Sequence, residues 1–365
     1  MASYDKVGAM KRPSEELRKL LDAHQGWEDL LVTSINQARK TALAAGMERA
    51  ETWPVDLDSY CDYIDRSARL IPFQDYPRET FNTLATFYWL IDQPTGRQLQ
   101  QSNEFNQWMN DFAAAWGSFL NTPESAAGID TFKQDPAYAV WQYVEPPGGW
   151  KCFNEFFARQ MKPGLRPVAG IKCDTIVTSP ADCTFKSKTK ISDTNKVTFK
   201  YTHTYSILEL LEGSPYKDRF HGGLFTHSFL GPSDYHRFHA PVRGTVLECR
   251  SIVGRVYLDV VINEDGEFDA PDKARDGYEF KQARGLIIFD SPVGLVAVLP
   301  IGMAQVSSVN MIAQEGAYLR KGDEFGYFMF GGSDIIVLFE AGSGIEWTAA
   351  PGVHTNVGVA VAEKL

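Results

Sequence analysis

The sequence has no long hydrophobic run and no surplus of basic residues. Its most apolar stretch, 286–298, is broken by Asp290, Pro292 and Gly294, well short of the roughly 20 apolar residues that a bilayer span needs. Stable membrane insertion is therefore not expected. Lys and Arg number 36 against 46 Asp and Glu, a formal charge of -10. That sign argues against nucleic acid, whose binding rests on cations neutralising phosphates, and against standing attraction to an anionic membrane. Cysteines are few: Cys61, Cys152, Cys173, Cys183 and Cys249 are odd in number and widely scattered. No pair has the close spacing of a zinc knuckle or a redox dithiol, so a reducing setting is expected. The first residues lack the apolar segment of a secretory leader. The expectation is a soluble, cytoplasmic protein.

The chain has 365 residues, 44% hydrophobic and 13% aromatic, enough for two domains with a buried core. From Ser14 to Leu120 the apolar residues recur at helical spacing. Ser14 reads as an N-cap ahead of Leu17, Leu20 and Leu21, followed by helices over 57–70, 78–91 and 102–120. Pro54, Pro72, Pro94 and Pro123 punctuate these segments. The aromatics Phe87, Tyr88, Trp89, Trp108, Phe112 and Trp116 fit a helical core. An amphipathic stretch over 17–31 has aliphatics that suit inward packing better than a membrane surface. After the Pro/Gly-rich stretch Glu145–Trp150 and a short helical piece over 153–160, the pattern turns to short β-rich segments. These cover 176–178, 196–201, 223–230, 244–248, 256–262, 285–290, 294–299 and 335–339. The fold class is α+β: a helical N-terminal domain, 1–145, followed by a β-rich domain, 150–365.

Three islands in the β-rich half contain chemically capable residues: Ser179-Pro180-Ala181-Asp182, Asp234-Tyr235-His236-Arg237-Phe238-His239 and Phe330-Gly331-Gly332-Ser333. Singly each is weak, and Gly331-Gly332-Ser333 alone reads as a β-turn. The pair His236 and His239 lacks the glutamate and the i,i+4 spacing of a zinc-protease helix, so no metal is expected.

Taken together and in order, these strings resemble the phosphatidylserine decarboxylase family. The resemblance starts at Phe153-Asn154-Glu155-Phe156-Phe157-Ala158-Arg159 and Lys162-Pro163-Gly164-Leu165-Arg166-Pro167. It runs through Ser179–Asp182, Tyr235–His239 with Pro241, Glu315-Gly316 and Lys321-Gly322 to Phe330–Ser333. The helical half more loosely resembles the family's soluble branch, typified by a mushroom tryptophan decarboxylase. The resemblance implies self-cleavage between Gly332 and Ser333, with His239 as the base that activates Ser333 and Asp182 orienting that histidine. An N→O acyl shift, β-elimination and loss of ammonia would leave a pyruvoyl group derived from Ser333, with no pyridoxal phosphate and no metal. This carbonyl would capture a substrate α-amine as a Schiff base and take up the electrons released with CO₂. His236 resembles the residue that reprotonates the product. Glycines at 331 and 332 suit a tight turn exposed to attack. His203, His221 and His227 carry no motif and receive no role.

The chain departs from the resemblance at one telling place: Asp334 stands where Ser or Thr usually follows the cleaved serine. Ala181-Asp182-Cys183 also lacks the glycine common after this aspartate. The preferred expectation is decarboxylation of a small-molecule free L-amino acid, aromatic and most simply tryptophan, with room for a homo-oligomer. The alternatives are a phosphatidylserine decarboxylase making phosphatidylethanolamine, a hydrolase retaining Ser333, and an uncleaved, non-enzymatic homologue.

Overall fold

The computed structural model describes residues 12–74, 78–199, 203–256, 258, 260–269, 280–302, 309–329 and 333–365. Helices α1 (Pro13–Asp22), α2 (Trp27–Ala44), α3 (Leu57–Ser67), α4 (Glu79–Ile91), α5 (Pro94–Leu99), α6 (Asn103–Phe119) and α7 (Ile129–Gln134) come first. They are followed by α8 (Phe153–Phe157), just ahead of the strands, and α9 (Ile207–Leu210) among them. The strands are β1 (Ile176–Thr178), β2 (Cys183–Lys190), β3 (Lys196–Phe199), β4 (His203–Ser206), β5 (Leu224–Leu230), β6 (Arg237–His239), β7 (Gly244–Ile252), β8 (Val261–Ile262) and β9 (Phe268–Asp269). Further along lie β10 (Arg284–Ser291), β11 (Gly294–Gly302), β12 (Val309–Met311), β13 (Tyr318–Leu319), β14 (Glu324–Phe328), β15 (Ser333–Phe339), β16 (Ile345–Trp347), β17 (His354–Thr355) and β18 (Ala360–Lys364).

Two compact units emerge. One holds the chain up to Phe132 together with the segment starting at Val256, and the other holds the rest from Lys133. The Glu145–Trp150 stretch lies inside the second unit. In the first unit, α3 and α6 start where side chains cap them: Asp56 accepts from the Ser59 N–H at 2.8 Å and Ser102 from the Phe105 N–H at 3.0 Å, satisfying donors a helix start leaves free. Ser14 does not cap α1. The helix begins one residue earlier at Pro13, whose missing N–H costs nothing there, and the Ser14 hydroxyl donates to Asp65 at 2.7 Å. Leu17, Leu21 and Leu31 are buried, and Gly26 at φ +82 separates α1 from α2. Phe87, Phe112, Trp108 and Phe105 pack ring against ring in the core. The β8–β9 hairpin belongs to this unit: Phe268 stacks on Trp53 with centroids 5.6 Å apart.

The second unit is built on an antiparallel eight-stranded sheet ordered β13-β7-β10-β11-β15-β5-β2-β17. Strands β10 and β11 are buried on both faces and read as near-continuous apolar runs, as central strands do. At the sheet margin β2 alternates, with Cys183 and Phe185 inward and Thr184 and Lys186 half-exposed. One face closes over Phe225, Leu286, Ile288, Leu299, Ile301, Ile336 and Leu338. A smaller sheet, β12-β14-β6, holds the histidine island, and a third, β1-β18-β16, carries the last strand. Gly326 lets β14 run between its neighbours, since a Cβ there would lie 2.2 Å from the Phe238 ring and 2.4 Å from the Asn310 carbonyl oxygen.

Candidate functional site

Sheet register brings two of the islands together. Thr184, Phe229 and Asp334 stand side by side on β2, β5 and β15. Asp182, just ahead of β2, and Ser333, the first residue of β15, therefore belong to one end of the sheet with β5 between them. Neighbouring strands lie about 4.8 Å apart, which separates these two backbones by roughly 10 Å. The backbone of Ser333 pairs with Leu230 on one side and Gly302 on the other. Gly331 and Gly332 lie outside the described residues.

The histidine island joins from the small sheet. His239 donates its backbone N–H to the carbonyl of Pro180 at 2.7 Å, tying β6 to the Asp182 loop. Its ring is held at both nitrogens. Nδ1 meets the Gly322 carbonyl at 2.8 Å, and Nε2 meets the Tyr235 hydroxyl at 3.1 Å. A carbonyl only accepts, so Nδ1 carries the proton and Nε2 presents its lone pair. Burial lowers the His239 pKa from its ordinary 6.5, against the opposing pull of the Gly322 carbonyl, Glu324 and Asp182. The ring is thus a neutral base at neutral pH.

Asp182, expected to orient His239, makes no hydrogen bond to its ring. Its side chain is 4% exposed, and a carboxylate so deeply buried needs a cation. Arg166 supplies one, with Nε 3.0 Å from Oδ1 and an Nη 2.6 Å from Oδ2. The Val357 N–H donates to Oδ1 at 2.8 Å, and Gln142 holds the guanidinium from behind at 2.8 Å. Orientation of His239 falls to Gly322, while Asp182 acts on it through charge. Gly322 (φ +87) occupies a left-handed turn that side chains avoid.

His236 lies apart from this cluster in its surroundings. It is 0% exposed, stacks on Phe157 with centroids 3.9 Å apart, and neither ring nitrogen has a hydrogen-bond partner among the described residues. Burial, with the nearby Arg159 cation adding to it, holds its pKa well below 6.5. Arg159, itself 1% exposed, donates to the carbonyls of Ser233 and Asp234 at 2.7 and 3.1 Å and lies over the Tyr143 ring. It thereby fixes the turn leading into His236. The carbonyl of His236 accepts from the Phe328 N–H at 2.8 Å, five residues before Ser333.

Sequence reasoning singled out Asp182, His236, His239 and Ser333 as candidates but missed the contacts made by Arg166, Gly322, Tyr235 and Arg159. Each had a signal, since all sit inside the quoted strings. Asp334 and His227 also meet, on adjacent strands, although His227 had no motif around it. Among the described residues no group of three or more His, Cys, Asp or Glu side chains could hold a metal.

Comparison with known proteins fits this geometry. Residues 153–363 match the family described as phosphatidylserine decarboxylase. Phosphatidylserine decarboxylase proenzyme 2 of Oryza sativa subsp. japonica is 35% identical over 228 residues, covering 61% of this chain and 35% of the rice protein. The phosphatidylserine decarboxylase proenzyme of Bordetella avium is 32% identical, with 58% and 74% covered. Decarboxylase iboD of Amanita muscaria is 26% identical over 286 residues, with 69% and 82% covered. The chain spans about a fifth to a third of the length of the first curated relatives it matches. With a match over more than half its length that takes in every residue of the site described above from Phe157 onward, the chain belongs to the phosphatidylserine decarboxylase family.

Proposed function

We propose that this chain is a pyruvoyl-dependent carboxy-lyase that cuts itself between Gly332 and Ser333 and then decarboxylates a free L-amino acid in a reducing cytoplasm. The observation that supports the reading is that Ser333 heads β15 at the end of the sheet where the Asp182 loop also lies, and that His239, tied by its backbone to that loop, carries its ring proton on Nδ1 and so keeps Nε2 as the acceptor. A serine hydroxyl is a poor nucleophile until a base takes its proton. His239 Nε2 takes it, displacing the Tyr235 hydroxyl that now occupies the lone pair. Ser333 Oγ bonds to the Gly332 carbonyl carbon, the peptide C–N bond breaks, and the proton passes to the departing nitrogen. Loss of the Ser333 α-proton then expels the Gly332 carboxylate. Addition of one water releases ammonia and leaves the pyruvoyl cap on residues 333–365.

The site suits such a group, because His236 is an orphaned buried imidazole in the same unit and Phe157 fixes its plane. When present, the group supplies a carbonyl that binds an amine and takes up the electron pair left by CO₂. The chain's own part is proton control. His236 rests neutral, so it must gain a proton before it can give one. A bound substrate carboxylate, being anionic, favours that gain, and a ring nitrogen of His236 then returns the proton to the product carbon.

The choice of a free amino acid is supported by the acidic charge, by a helical unit of its own, and by the fact that no described helix is long and apolar enough to cross a membrane. An aromatic side chain such as indole would gain on the order of 2–3 kcal/mol by burial. The names of most relatives favour phosphatidylserine instead. Intact mass of the purified protein tests the maturation: two chains are expected, the smaller with a blocked pyruvoyl end, and a single full-length chain with activity would sink it. CO₂ release from free amino acids, set against phosphatidylserine vesicles, tests the substrate; activity on the lipid alone would overturn that part.

A further inference from the structure

The residue after the cut is anchored by a histidine. Asp334 is 0% exposed and shares its face of β15 with Ile336 and Leu338, in the apolar core, beside Ile301 on β11. A carboxylate in such a place is unfavourable without a cation. His227 Nε2 lies 3.0 Å from Asp334 Oδ1, with side-chain exposures of 13% and 0%. The register explains the meeting: His227 opposes Ile336, so it reaches diagonally to the residue two before it on the neighbouring strand. Lys186, on the neighbouring β2, places its ammonium 5.0 Å from the centre of the Phe229 ring, facing this stretch of β5.

We propose that His227 is a positioning residue for self-cleavage: paired with Asp334 across the β5–β15 ladder, it fixes the backbone on the carboxyl side of the scissile peptide. The inference rests on the maturation reading above. Ser333 is the first residue of its strand, and strand ends fray unless something holds them. Asp334 is the first side chain able to do so, and a displacement of about 1 Å at a reacting bond slows it severely. The pairing also gives Asp334 a physical reason to stand where a small hydroxyl residue usually follows the cleaved serine. A hydroxyl is tolerated neutral in such a place, whereas the carboxylate makes maturation depend on a partner from β5.

The test is a double-mutant cycle on the first-order rate of cleavage, followed by mass in full-length chain made by cell-free synthesis. His227→Leu, which keeps an apolar filling, is expected to slow cleavage by about tenfold or more. His227→Gln, which keeps an N–H facing Asp334, is expected to retain most of the rate. Asp334→Thr removes the charge that needs the β5 partner, so adding His227→Leu to it should cost nothing further. Thermal midpoints of the same variants in an uncleavable Ser333→Ala background show whether each folds. Equal slowing by His227→Leu in both backgrounds marks a merely structural role and overturns the proposal. So does unchanged cleavage in the single variant, or the same coupling carried by Lys186→Met instead. A wild-type chain that never cuts would overturn the maturation reading itself, a result visible in the first arm alone.

Discussion

Nδ1 of His239 donates to the carbonyl oxygen of Gly322 at 2.8 Å, which leaves Nε2 as the basic atom of the ring. Burial lowers the pKa of this histidine below 6.5. The neutral form is the competent one, so cleavage should slow as pH falls through that lowered pKa and level off above it. The rate of appearance of the small chain, measured from about pH 5 to pH 8, is expected to be flat through neutrality and to decline only on the acid side. A rate still climbing between pH 7 and 8 would mean that a different, more basic group takes the proton.

The same contact makes Gly322 vulnerable. At φ +87 any side chain is strained, and a Cβ would lie 2.5 Å from Val168 Cγ2. Gly322→Ala should cost roughly 1–3 kcal/mol and slow cleavage, because the carbonyl that aims His239 moves with the turn. Denaturant melts in a Ser333→Ala background give the first quantity and a cleavage time course gives the second. A stable variant that cuts at the normal rate would show that the aim of the ring does not depend on this turn.

Asp182 and Arg166 form a nearly buried pair, with side chains 4% and 13% exposed. Removing the cation leaves a carboxylate stranded, a change that typically costs about 3–5 kcal/mol. Arg166→Met should therefore destabilise more than Asp182→Asn, which removes the charge along with the pair's function. Both should slow cleavage, by roughly tenfold or more. If Asp182→Asn proves the more destabilising in the same melts, the account of which group depends on which is reversed.

The proposed roles set His236 in turnover and His239 in maturation, and a variant can tell them apart. The His236 ring contacts Phe157 and faces no hydrogen-bond partner among the described residues, so His236→Ala should cut normally. Decarboxylation should then fall by roughly 10²–10⁴-fold. Full activity in a cleaved His236→Ala protein would return the residue to a packing role.

Much of the second unit was legible because its central strands are apolar throughout. The stretches over 285–290, 294–299 and 335–339 are the hearts of β10, β11 and β15. By contrast β2, Cys183–Lys190, escaped notice, since Lys, Ser and Thr dominate its half-exposed face. The segment 256–262 read as one strand of the β-rich half, yet among its described residues only Val261–Ile262 form a strand, and its hairpin belongs to the unit of the helices. Strand propensity does not say which sheet a strand joins. In the candidate site, Asp182, His236, His239 and Ser333 stood out as types within strings. What holds them did not, because Arg166 reaches Asp182, and His227 reaches Asp334, only through folding.

Strand β15 is laddered on both sides, to β11 and β5, from Ser333 to Phe339. Downstream, β17 pairs with β2 and β18 with β1. A cut before Ser333 therefore turns an inner strand of the main sheet into part of a separate molecule without loosening a single rung. The uncut chain can melt and refold as one body. The cut protein, once melted, must find its missing strand by collision, at a rate that depends on concentration. Maturation would thus exchange an equilibrium for a clock: each active molecule folds once, and its working life is set by how slowly it unfolds.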